Sequence, residues 1–145
     1  MSPKAIAALQ IWSALGPLIG VGLGAFFTRS WQRKQWVLEN KKAEYRELLS
    51  VLSQTVHNYL NVWPTPMDSN VITSEEMHKL MASDTEARKT IGDRIFISNF
   101  IKREDIQSRW TIVVAGSRGG NMMDYWHALH ETLIKSAHRD LGIKD

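Results

Sequence analysis

The sequence predicts an all-α protein: an N-terminal transmembrane helix, a long juxtamembrane helix and an antiparallel helical bundle. Three observations predict it. Residues Ala5 to Thr28 form an uncharged run. The next 35 positions carry apolar side chains at helical spacing with no Gly or Pro among them. Nowhere does strict apolar/polar alternation sit between turn signals, as a β domain would require.

The first element, residues 1–28, is read as a transmembrane anchor. Its run AIAALQIWSALGPLIGVGLGAFFT has only Gln10, Ser13 and Thr28 as polar interruptions. As a helix it would extend roughly 36 Å, against a hydrocarbon core of about 30 Å. Two other readings compete. A signal peptide calls for a basic start, a shorter core and an A-x-A-like exit; here only Lys4 precedes the run, and Phe26-Phe27-Thr28-Arg29 is a poor cleavage site. A buried helix of a water-exposed fold would be unusually long for 24 uncharged residues. Pro17 is compatible with a membrane helix, where neighbouring groups can re-satisfy the freed backbone. Gly16, Gly20 and Gly24 recur every fourth residue and leave one face smooth enough for another helix to approach closely, either a second copy or another membrane protein.

The flanks orient the span. Lys4 stands alone before it, whereas Arg29, Arg33, Lys34, Lys41, Lys42 and Arg46 follow it, against only Glu39 and Glu44. Basic residues near a span stay on the cytoplasmic side. The expected topology is single-pass in the plasma (inner) membrane, N-terminus outside and C-terminal part cytoplasmic. Arg29, Trp31, Arg33, Lys34, Lys41 and Lys42 are the candidate lipid-headgroup contacts, with the Trp31 ring suited to the interface. The net charge of +3 comes from this collar, since residues 47–145 hold 11 Lys/Arg against 13 Asp/Glu. A nucleic-acid partner, which wants a basic face on the folded domain, is not expected.

The second element, residues 29–63, reads as one long helix. Trp31, Leu38, Tyr45, Leu52 and Tyr59 recur every seventh residue, with Leu48, Leu49, Val56 and Val62 beside them. This coiled-coil-like seam suits packing within the chain or against a second copy. Pro64 and Pro66 end it, with Trp63 and Thr65 extended.

Residues 64–145 supply the rest of the bundle. Thr73-Ser74-Glu75-Glu76 has the form of a capping box. Met77, Leu80, Met81, Ala87, Ile91 and Ile95 give the inner face of a helix expected to reach about Phe100, with a break near Ser83. Over 103–117, Ile106, Trp110, Val113 and Val114 fit a helix, although WTIVVAG also has the β-branched content of a short strand; helix is the preferred reading. Gly116-Ser117-Arg118-Gly119-Gly120 is a turn and lacks the Walker spacing of a phosphate loop. Asn121 caps a last helix carrying Met122, Trp126, Leu129 and Leu133, which Gly142 ends.

Candidate chemistry is sparse. Asp124, His127 and His130, with Glu131 nearby, share a helix face and are the only cluster of metal-ligand composition. Neither an HExxH spacing nor a second matching motif accompanies them, so a solvated polar face is the better account and no metal or cofactor is expected. His57, His78 and His138 are scattered singly. The absence of cysteine excludes thiol catalysis and thiolate metal sites. Nothing nominates a nucleophile with its base. The function expected is a membrane-anchored interaction or scaffolding protein; the alternatives are an accessory subunit of a larger membrane complex and a small metal- or ligand-binding enzyme.

The stretches Trp31-Gln32-Arg33-Lys34-Gln35-Trp36 and Asn40-Lys41-Lys42-Ala43-Glu44-Tyr45-Arg46-Glu47-Leu48-Leu49, with Ala137-His138-Arg139-Asp140-Leu141-Gly142 near the end, resemble a group of uncharacterised short bacterial single-pass membrane proteins with an N-terminal transmembrane helix. The resemblance is dense over residues 20 to 52 and thin between 64 and 130. Where the group has a basic residue, this chain has His138. The resemblance implies an inner-membrane protein with a helical cytoplasmic part, and carries no activity or catalytic residue with it.

Overall fold

The computed structural model describes residues 3–63, 72–96 and 101–143, with side chains from residue 20 onward, residue 22 excepted. The described residues form four helices and no strand: α1 (Pro3–Val62), α2 (Ser74–Gly92), α3 (Arg103–Gly116) and α4 (Met122–Leu141). The chain divides into two compact units, Met1–Leu38 and Glu39–Asp145, with α1 contributing to both.

In the first unit every described large apolar side chain on α1 up to Trp36 is exposed: Val21, Leu23, Phe26, Phe27, Trp31 and Trp36. Among the described residues no helix is long and apolar enough to cross a membrane. From residue 20 onward α1 soon meets Arg29, Arg33 and Lys34. The uncharged run that predicts the span falls mostly on residues 5–19, whose side chains lie outside the described residues.

The second unit is a four-helix bundle made of the end of α1 with α2, α3 and α4. The seven-residue seam shows where burial begins: Trp31 is 63% and Leu38 37% exposed, whereas Tyr45 is 3% and Leu52 0%. From Tyr45 onward the seam is the core edge of the bundle. Leu48, Leu52, Val56 and Tyr59 pack with Leu80, Ala87 and Ile91 of α2, Ile106, Trp110 and Val113 of α3, and Met122, Trp126, Leu129 and Leu133 of α4. The seam thus packs within the chain over this half, as 3-4 spacing on each helix allows.

Polar contacts give the direction and neighbours of each helix. Thr55 and Asn58 of α1 meet Ser83 in the middle of α2, while Glu44 and Glu47 meet Arg94 just beyond its end, so α1 and α2 run antiparallel. Asp84 binds the Trp110 indole and the Gly92 carbonyl accepts from Arg103, which makes α2 and α3 antiparallel. The turn at 117–120 reverses the chain into α4. Lys41 and Tyr45 bind Asp140 near the end of α4, closing the ring back to α1.

The helix termini follow their capping chemistry. The Thr73 hydroxyl accepts from the Glu76 N–H at 3.3 Å and the Glu76 carboxylate accepts from the Thr73 N–H at 2.9 Å, the reciprocal capping box. Gly142 closes α4 at φ +67°, a left-handed cap that a side chain would strain. Asn121 stands at the N-cap of α4 without a side-chain capping bond. Pro64 and Pro66, expected to stop α1, lie outside the described residues; α1 ends at Val62, two residues before Pro64.

Helix α2 differs from expectation at two points. It passes Ser83 without a break, because that hydroxyl bonds across the interface, donating to Thr55 Oγ1 and accepting from Asn58, rather than competing for its own backbone. It stops at Gly92, short of Phe100. The buried Arg94 guanidinium donates to the Thr90 and Glu44 carbonyls and to Glu47, and the Glu44 carboxylate accepts from the N–H groups of Ile95 and Phe96. Those bonds draw the chain out of the helix, and Ile95 is left 77% exposed rather than on the inner face. Met81, also expected inside, is exposed. Residues 103–116 are helix: Ile106, Trp110, Val113 and Gly116 recur at 3-4 spacing and all are buried, so packing overrides their β-branched neighbours.

Candidate functional site

Three places answer to the chemistry the sequence suggests or the bundle creates. The first is the exposed stretch of α1 in the first unit. Gly20 and Gly24 have nothing within 4 Å of where a Cβ would stand among the described residues. Gly16 lies among the residues whose side-chain surroundings are not described. Phe26 and Phe27 meet edge to face at 6.2 Å between centroids, both exposed. Arg29, Trp31, Arg33 and Lys34 follow, all exposed.

In the second unit the two remaining collar lysines part company. Lys42 is exposed. Lys41 turns to the bundle, its Nζ 3.2 Å from Oδ1 of Asp140, a carboxylate only 2% exposed that also accepts from the Tyr45 hydroxyl at 2.7 Å. The charge of Lys41 is thereby paired with a carboxylate of the bundle, a contact the sequence did not suggest. Residues three and four apart share a helix face, and Lys41 lies four residues before the buried Tyr45 on the face that meets Asp140.

The second place is the polar face of α4. Asp124 and His127 are exposed. The His130 ring leans on Trp126 at 5.4 Å between centroids, and Glu131 pairs with Lys135 one turn on. Among the described residues no group of three or more His, Asp or Glu is placed to hold a metal ion. The candidate ligands are therefore not brought together: one ring packs on an aromatic and the nearby carboxylate has a cation of its own.

The third place is a cleft that sequence reasoning missed. It opens where α1 ends, α2 begins and α3 turns into α4, and has a volume of about 450 Å³. Tyr59 and Trp63 stack at 5.8 Å with 26° between ring planes and form one wall. Met77, Leu80 and Met81 of α2 face them, and Val114 and Ala115 of α3 complete the apolar lining. Asp84, Ser117 and Arg118 supply its polar groups. Asp84 is already engaged: Oδ2 accepts from Arg88 Nε at 2.8 Å and Oδ1 from Trp110 Nε1 at 2.9 Å. The Ser117 hydroxyl donates to the Val114 carbonyl. Burial raises the Tyr59 phenol above its ordinary pKa of 10.0, with the Asp84 carboxylate adding to the rise and Arg88 and Arg118 opposing it. The sequence showed each component separately, Tyr59 as a seam residue and Ser117-Arg118 as turn residues. Only the antiparallel closure of the bundle sets them around one opening.

Compared with protein-family models, curated proteins and solved structures, the chain matches none.

Proposed function

We propose that this chain is a membrane-anchored helical interaction or scaffolding module, held single-pass in a bacterial inner membrane with its N-terminus outside and its bundle on the cytoplasmic side. The observation that carries the reading is that α1 is one unbroken helix from Pro3 to Val62. By sequence it begins in an uncharged run, passes a basic, Trp-flanked stretch, and ends as a core element of the bundle. Exposed apolar side chains in a row mark a surface meant for lipid or protein, and Val21, Leu23, Phe26 and Phe27 form such a row immediately before Arg29. The basic excess after the run supports the orientation, and the resemblance in 20–52 to short single-pass proteins supports the same placement.

The glycines Gly20 and Gly24, with nothing within 4 Å of a Cβ position among the described residues, support association through this helix. Extraction in mild detergent or nanodiscs, followed by native mass measurement and identification of co-purifying proteins, tests it. The reading expects a self-associated species or a stoichiometric membrane-protein partner; a different protein at fixed stoichiometry makes this chain an accessory subunit. A monomer recovered without partner or lipid contradicts it.

A further inference from the structure

We propose that the cleft at the α1–α2–α3 end of the bundle is a binding site for a small aryl carboxylate, a flat apolar body bearing one anionic group. The inference is independent of where the chain is anchored, because the cleft is built wholly within residues 59–118 of the second unit.

Size and lining set the apolar part. A volume of about 450 Å³ falls in the range of sites for small organic ligands, which are typically apolar with a few fixed polar groups. The stacked Tyr59–Trp63 pair presents a rigid aromatic wall. Met77 and Met81 face it, and an unbranched thioether side chain adapts to the shape and ring edge of what it covers.

Charge sets the anionic part. Of the two ionised groups lining the cleft, Asp84 is neutralised by Arg88 and further held by Trp110. Arg118 is exposed and has no ion-pair partner among the described residues. One uncompensated guanidinium therefore remains at the mouth of an apolar cleft. Its planar fork matches a carboxylate with two parallel hydrogen bonds, and a nearby apolar wall strengthens that pairing by excluding water. A cationic ligand would meet Arg118 directly, and a neutral one would leave it unused.

The test is equilibrium dialysis of 2-naphthoate against the full chain in nanodiscs, with empty nanodiscs as the blank and 2-naphthamide as the neutral isostere. Saturable binding of 2-naphthoate above the blank is expected, with Arg118→Gln weakening it at least about tenfold, the size of a charge-assisted hydrogen-bonded pair. Arg139→Gln, on the last turn of α4, is expected to leave it unchanged. Arg118 is exposed, so its replacement is expected to preserve the fold, which an unchanged thermal melt verifies. Met81→Glu, also at an exposed position, is expected to abolish binding by placing a second anion on the wall. The proposal is overturned if 2-naphthoate does not exceed the blank, if 2-naphthamide binds equally well, or if Arg118→Gln binds as the unsubstituted chain does.

Discussion

A few side chains hold the bundle together, and each has a predicted cost on removal. Trp110 is fully buried at its centre and its indole N–H donates to Asp84. Trp110→Ala is expected to cost about 3–5 kcal/mol, read as a drop in the urea midpoint. Asp140 is the buried end of the pair with Lys41 and also takes the Tyr45 hydroxyl. Asp140→Ala leaves both donors without that acceptor and is expected to cost about 2–3 kcal/mol by the same measurement, with Asp140→Asn milder. Gly116 admits no side chain without movement, because a Cβ there would stand 2.7 Å from Tyr125 Cδ2 and 3.2 Å from the Met122 nitrogen. At this scale the sequence was legible where apolar spacing spoke, as for Trp110 and Leu129. It was silent where the role depends on a distant partner. Lys41 and Lys42 are the same residue side by side, and only the arrival of Asp140 from the end of α4 distinguishes them.

At the scale of the element, α2 shows how much a local signal can carry. Its capping box was legible because both partners lie within four residues, and Thr73→Ala is expected to cost about 1 kcal/mol in the thermal melt. Hydrogen bonds from Thr73 hold the Glu76 carboxyl below its ordinary 4.5, and Lys79 does the same for Glu75. Both folded values are depressed, so their contribution is present above pH 4.5 and is lost as the pH falls through the lower folded values. Glu76→Gln is expected to flatten that part of the acid limb in melts recorded between pH 7 and 3. Tyr59 has the opposite sign. Its raised folded value gives a contribution intact below pH 10.0 and lost as the pH rises through that value, and Tyr59→Phe is expected to remove this alkaline loss. The end of α2 was not legible, because Glu44 and Arg94, which divert the chain after Gly92, stand 50 residues apart. Likewise the seven-residue seam of α1 announced a packing face but not the point, between Leu38 and Tyr45, at which burial begins.

At the scale of the whole molecule, α1 carries the account, since one helix is both the uncharged run of the sequence and a core element of the bundle. The central claim is that this helix anchors the chain with the bundle facing the cytoplasm. The chain contains no cysteine, so single-cysteine variants report position without background. The most direct measurement combines alkaline carbonate extraction of bacterial membranes with labelling of intact cells by a membrane-impermeant thiol reagent, using Ser2→Cys and Lys135→Cys. The account predicts that the chain stays in the membrane pellet, that Ser2→Cys is labelled, and that Lys135→Cys is labelled only after lysis. Release of the chain into the carbonate supernatant, or labelling of Lys135→Cys in intact cells, would contradict it.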